Sequence, residues 1–185
     1  RYMFKMMNNA RLGVGVEGLA VTERALQQAA DYAGERRQGR AIGGPAGEQA
    51  VIVDHADVRR MLMTMRAYVD AMRCLLYLNS ATLDMATHHP DETVRQEASE
   101  RAELLTPISK AWCTDVGVEM TSLGIQVHGG YGYIEETGAA QHFRDSRISP
   151  IYEGTNGIQA MDLVGRKLPM REGGVMGDLL VEMAA

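Results

Sequence analysis

Cysteine occurs only twice in the 185 residues, at Cys74 and Cys113, too few for a disulfide framework. Both sit in apolar helical patterns and read as buried thiols of a reducing, cytoplasmic compartment. No apolar run approaches the ~18 residues of a membrane span. An excess of positive charge is missing too. With 19 Lys and Arg against 24 Asp and Glu, the net charge of −5 excludes a global basic field for nucleic acid. Period-two alternation never persists for more than a few residues, so no sheet is expected. Neither a Glu-x-x-His pair nor a Cys-x-x-Cys is present, and His88-His89 beside Pro90 reads as a solvated helix end, so no metal site is expected. Met is absent from the first position, and Arg1-Tyr2-Met3-Phe4-Lys5 is no signal peptide, so the sequence reads as a piece of a longer protein.

The chain nevertheless has what a core needs: 45% apolar and 23% charged residues exclude a disordered tail. Its 20 glycines are unevenly placed, with none between Gly47 and Gly117. Such a distribution suggests long helices joined by shaped loops. A first apolar face runs Leu12, Val16, Leu19, Leu26, Ala30, Ala33, with Asn8 and Asn9 as candidate N-caps and Gly39 as a candidate C′ residue. Residues 41–53 read as a loop. A second helix of about 30 residues, roughly 45 Å long, is predicted from an Asp54 cap to His88-His89-Pro90. Asp91 caps a third, whose charged first part reads as solvated and which Pro107 kinks or restarts with Thr106 as cap. Its clearest face is Ile108, Trp112, Val116, Met120, Leu123, Val127. Short helices are predicted over 137–144, from Thr155 and over 175–184. The expected fold is all-α: an antiparallel four-helix-type bundle of long helices with a short C-terminal helical tail.

Three runs can carry chemistry. In Gln126-Val127-His128-Gly129-Gly130-Tyr131-Gly132-Tyr133, the glycines either stop a helix or let a ligand lie on bare backbone amides. In Tyr152-Glu153-Gly154-Thr155-Asn156-Gly157-Ile158-Gln159, Thr155 opens a helix and Glu153 is either a surface carboxylate or a general base in a partly apolar pocket. Arg36-Arg37-Gln38-Gly39-Arg40 is either a solvated helix end or a pyrophosphate clamp.

Together, and in this order, the runs resemble the acyl-CoA dehydrogenases, with Asn8 to Lys167 similar to that family's C-terminal helical domain. Tyr152-Glu153-Gly154-Thr155 with Ile158-Gln159 is the most specific motif; Gln126 to Gly132, Arg144-Asp145 and Arg147 fit around it. The resemblance implies FAD-dependent oxidation of acyl-CoA thioesters to 2,3-enoyl-CoA. It implies that Glu153 removes the α proton while a hydride leaves the β-carbon for the flavin. It implies flavin contacts by Arg36, Gln38, His55, Val58, Gln126, Val127, Gly129, Gly130, Thr155 and Gly157. Substrate contacts fall to Arg11, Tyr152 and Gly154. It further implies a homodimer or homotetramer and an electron-transferring flavoprotein as acceptor.

Some positions depart from the family pattern. Arg36-Arg37-Gln38-Gly39-Arg40 stands where the family commonly has Arg-x-x-Phe-Gly, the 41–53 loop is longer than in short- and medium-chain members, and Ala56 and Gly157 stand where glutamine is common. These changes resemble a larger subgroup that includes methylthiopropanoyl-CoA dehydrogenases. Residues 1–168 then form the helical domain and 169–185 the start of a C-terminal extension. The isolated chain is expected to bind FAD weakly and not to turn over. The rival readings are a DNA-associated flavoprotein of the same fold and a purely structural association domain.

Overall fold

The computed structural model describes residues 2–185, with side chains from Met6 onward; Arg1, the unusual first residue, lies outside the described residues. Three long helices dominate: α1 (Tyr2–Glu35), α2 (Ala56–His88) and α3 (Glu92–His128). Four short ones follow, α4 (Gly130–Tyr133), α5 (Ala139–Ser146), α6 (Asn156–Asp162) and α7 (Gly174–Ala184). No strand occurs among the described residues beyond one isolated bridge, Arg37 with Val51. The all-α class with long helices is as expected.

The chain divides into two compact units. The first contains residues 1–17, 72–115 and 149–185; the second contains 18–71 and 116–148. Each of α1, α2 and α3 therefore contributes to both.

In the first unit the buried row of α2 is Met72, Leu76, Asn79 and Thr82. Asn79 Nδ2 donates to Ser109 Oγ of α3 at 3.0 Å. Val175 and Leu179 of α7 pack on Leu104 and Leu105 of α3, with Leu75, Leu163 and Leu168 around them. Burying each such aliphatic side chain contributes about 1.5–3 kcal/mol. This cluster explains two departures from expectation. Residues 92–105 are not simply solvated, and Pro107 does not restart α3, which runs through it as one helix with the proline buried. Packing on both sides of it offsets the ~3 kcal/mol helix cost of proline. Thr106 is no cap; its buried hydroxyl donates to the Ala102 carbonyl at 2.7 Å, one turn back.

The second unit packs Ala25, Leu26, Ala29 and Ala33 of α1 with Met61, Met65 and Val69 of α2 and Val116, Met120 and Val127 of α3. Thr121 Oγ1 and Ser146 Oγ, 2.9 Å apart, tie α3 to α5.

Local signals fared unevenly. Asp91 caps α3 as predicted, its Oδ1 accepting from the Thr93 amide at 2.8 Å. Asn8 and Asn9 lie inside α1 instead of capping it. Asp54 ends a 3-10 turn (Ile52–Asp54) instead of capping α2, which starts after His55. Residues 41–53 are not merely loop, because Gln38 N–Ala50 O (3.0 Å) and Ile52 N–Arg36 O (2.8 Å) close a short ladder. α1 stops at Glu35, so Gly39 belongs to that ladder and is not its C′ residue. Val16 and Ala30 are exposed, whereas Thr22, Ala25 and Ala29 are buried, so the α1 face is rotated towards its small residues. Cys113 is buried, but Cys74 is exposed, contrary to expectation.

Candidate functional site

In the first unit the chain leaves buried Ser149 and Pro150 and reverses before α6. The Asn156 amide and Thr155 Oγ1 both donate to the Pro150 carbonyl, at 3.0 and 3.3 Å, and close the turn. Thr155 occupies the N-cap position, although its side chain caps no amide. At the apex, Glu153 has φ 52° and Gly154 φ 84°. A non-glycine residue in this left-handed region costs about 1–3 kcal/mol and persists where its surroundings over-determine it.

Those surroundings come from three helices. From α1, the Glu17 carboxylate accepts from the Tyr152 hydroxyl and, at 3.2 Å, from Ser149 Oγ. Burial and the Glu17 acceptor push the Tyr152 phenol up to about 12. From α6, fully buried Gln159 donates Nε2 to the Gly154 carbonyl at 2.9 Å. A Cβ at Gly154 would stand 2.8 Å from that Nε2, so glycine is demanded by space as well as by φ. From α3, Lys110 is fully buried and donates Nζ to Asn156 Oδ1 at 2.8 Å. Asn156 Nδ2 lies within reach of Asp115 Oδ1 (2.8 Å), Thr114 Oγ1 (2.9 Å) and the Ala111 carbonyl (3.1 Å). Burial holds the Lys110 ammonium below the usual lysine range; Arg11 acts in the same direction, while Asp115 and Glu153 oppose.

Arg11, also buried, pairs with Asp162 Oδ2 at 3.2 Å, and Arg166 takes the other oxygen at 2.7 Å. Its Nη2 lies beside Gly154, 3.6 Å from where a Cβ would be. Arg11 Nε and Gln159 Oε1 are buried without a partner among the described residues. Glu153 itself is exposed in this chain, outside the partly apolar pocket its sequence context suggested.

The second unit holds an open groove of about 390 Å³. It gathers Arg36, Gln38, His55, Val58, Gln126, Val127 and Gly129, and its remaining wall includes Tyr32, Ile52 and Met61. The ladder fixes Arg36 and Gln38, and His55 Nε2 donates to the Gln38 carbonyl at 2.7 Å. The Arg36 guanidinium lies 5.8 Å over the Tyr131 ring, and no carboxylate pairs with it among the described residues. Tyr32 stacks on buried His128 with centroids 4.5 Å apart, and His128 Nδ1 is 2.8 Å from the Gly124 carbonyl. α3 ends at His128, and Gly129, with φ 62°, follows it. The short helix α4 folds so tightly against that end that a Cβ at Gly132 would collide with the Ile125 carbonyl oxygen.

The residues singled out by sequence therefore fall into two groups. Arg11, Tyr152, Glu153 and Gly154 come together in the first unit. The groove residues come together in the second, with Gly130 following directly. Thr155 and Gly157 belong to the first unit, at the start of α6. Glu17, Lys110 and Asp162 join the site without a motif of their own, and Asn156, inside the 152–159 run, joins it without having been singled out. Lys110 left one trace: a lysine spaced three and four residues from Thr106, Cys113 and Thr114, all buried.

The family model described as "Acyl-CoA dehydrogenase, C-terminal domain" matches residues 1–168. A 3-methylmercaptopropionyl-CoA dehydrogenase of Ruegeria pomeroyi is 51% identical over all of this chain and 31% of its own length. A butyryl-CoA dehydrogenase of Syntrophomonas wolfei is 37% identical over 92% of this chain and 28% of its own length. The solved butyryl-CoA dehydrogenase of Megasphaera elsdenii superposes with a TM-score of 0.67 at 29% identity, covering 88% of this chain and 37% of that one. The chain thus spans about a third of the length of the relatives it matches.

Proposed function

The chain belongs to the acyl-CoA dehydrogenase family, and we propose that it carries the catalytic base of an FAD-dependent enzyme that converts an acyl-CoA thioester to the 2,3-enoyl-CoA. The observation that carries this reading is the turn at Glu153. A carboxylate is held in a strained backbone conformation by α1, α3 and α6, on the motif that the family resemblance marks as the base.

The chemical difficulty is the weak acidity of the α C–H. A base contributes when its oxygen is fixed against that proton, and misplacement by about 1 Å costs on the order of 10²-fold. Tyr152 and Gly154 flank Glu153 and limit where its carboxylate can go. The Glu153 backbone amide is available to stabilise charge developing on the thioester oxygen. Glu153 accepts the α proton and becomes a carboxylic acid. Since it is exposed in this chain, the walls that exclude water from it come from the remaining length that the relatives have and this chain does not span.

The groove fits FAD by its donors. Arg36 is a cation with no carboxylate partner among the described residues and suits a pyrophosphate, Gln126 offers a donor and an acceptor, and Gly129 leaves the backbone bare. Bound FAD supplies the acceptor for the β hydride. Arg36, Gln38, His55, Val58, Gln126, Val127, Gly129 and Gly130 would hold it. Thr155 and Gly157 are proposed flavin contacts on the resemblance alone. The 51% identity over the whole chain supports a methylthiopropanoyl-type acyl group as the first substrate to try. An electron-transferring flavoprotein as acceptor, a homo-oligomer and a cytoplasmic location complete the reading; no described helix is long and apolar enough to cross a membrane.

The test is Glu153→Gln in the full-length protein that carries this chain, assayed with a dye acceptor across acyl-CoA thioesters. Flavin absorbance should persist while dehydrogenation falls by at least about 10³-fold. Undiminished turnover would refute the assignment. The isolated 185-residue chain should show no turnover.

A further inference from the structure

Lys110 stands out among the groups that the proposed chemistry does not use. It is a fully buried cation with no carboxylate in ion-pair contact among the described residues. Such a group is retained against a large desolvation cost, so its contacts need a reason. Its one described hydrogen bond goes to Asn156, three residues after Glu153. Asn156 is saturated in turn: its Nδ2 reaches two side chains and a carbonyl of α3, and its backbone amide closes the turn onto Pro150. Charge and geometry therefore converge on one short segment. Resting on the reading of Glu153 as the base, we infer that Lys110 is a positioning residue for it. Through Asn156 it locks the 150–156 turn onto α3.

The lock is a matter of geometry and needs both members of the Lys110–Asn156 pair. The charged groups facing Lys110 are Arg11 from α1, Asp115 from α3 and Glu153 from the turn. Burial depresses the lysine's own proton affinity.

The test compares Lys110→Met, Asn156→Ala and the double variant in the full-length flavoprotein, with Glu153→Gln alongside. Flavin content and Tm should stay near wild type in Lys110→Met, because an apolar chain of similar length replaces a buried unpaired charge. Each single variant should lower kcat about 10²-fold, and the double should lose no more than the larger single, the signature of one shared link. KM for the acyl-CoA should stay within about twofold of wild type in both single variants, so that the loss falls on kcat. Wild-type rates in Lys110→Met, additive losses, or a loss carried by KM alone would each overturn the inference. If Lys110→Met fails to fold, Asn156→Ala decides: a wild-type rate there also overturns it. An inactive Glu153→Gln beside a wild-type Lys110→Met removes this inference alone. An active Glu153→Gln removes the base and the inference together.

Discussion

The two compact units bend the chain beside a helix end in opposite ways. At the 150–156 turn the polar partners are Glu17 of α1 and the buried Lys110 of α3 and Gln159 of α6, which hold side chains of the turn and the Gly154 carbonyl. At the groove the chain is held by its own ladder and by α4 folding on the end of α3, and the polar lining side chains of Arg36, Gln38 and Gln126 remain exposed. The first arrangement fixes one carboxylate; the second presents many donors to something large. A proton abstraction depends steeply on placement, whereas a cofactor site gains from many moderate contacts. The same division predicts how each region fails.

Gly154 offers the sharpest way to break the comparison. Alanine there meets a positive φ and a fully buried Gln159 amide 2.8 Å away, neither of which can relax without opening the turn. In the full-length protein Gly154→Ala should lower dehydrogenation by about 10³-fold while flavin remains bound. Retention of flavin absorbance is the control, since the groove belongs to the second unit. Simultaneous loss of flavin would show that the two regions are not separable.

Gly132→Ala is the counterpart in the second unit. Its Cβ would collide with the Ile125 carbonyl and His128 Cβ, so α4 must lift away and carry Tyr131 from beneath Arg36. Overpacking of this kind costs about 1–3 kcal/mol. A lower Tm and a flavin affinity weakened by about tenfold or more are expected, with turnover of the flavin-loaded fraction close to wild type. If the loaded fraction instead loses its activity, the groove does more than bind.

The sequence showed these regions to different depths. Helix class and the three long helices follow from three-four spacing and from the glycine-free middle. The motif runs also singled out Glu153, Arg36, Gln38, Gln126, Val127 and Gly129, because glycines and charged groups clustered there mark the chain locally, whereas His55 and Val58 came from the family resemblance alone. What sequence did not show depends on partners distant along the chain. Glu17 and Tyr152 are 135 residues apart, and Lys110 and Asn156 are 46 apart. No local period encodes such pairs. Pro107 and Thr106 misled for the same reason: their local preference for a break is outweighed by Leu104 and Leu105 packing under α7. The exposed Cys74 shows the converse, an apolar-looking helical neighbourhood whose residue faces solvent.

Acid sensitivity gives the finest separation of the two units. His142 of α5 lies in the second unit, with Nε2 3.0 Å from Gln28 Oε1, and Gln28 Nε2 donates to the Thr137 carbonyl. Burial depresses its proton affinity below the usual histidine value, and the charge of Arg24 adds to this; Asp145 opposes and His128 reinforces. Its folded form therefore stays neutral while the unfolded chain takes up a proton near pH 6.5. The stability this contributes is present above that pH and is lost as pH falls through the lower folded value. Hydrogen exchange, corrected for intrinsic rates, should show protection of residues 139–146 declining below about pH 6.5, with residues 150–160 of the first unit unchanged. His142→Gln keeps a hydrogen-bonding side chain without the titration and should flatten that decline. A decline that persists in His142→Gln, or one shared equally by both segments, would assign the acid response elsewhere and remove the distinction between a unit tuned by histidine and one held by buried lysine and tyrosine.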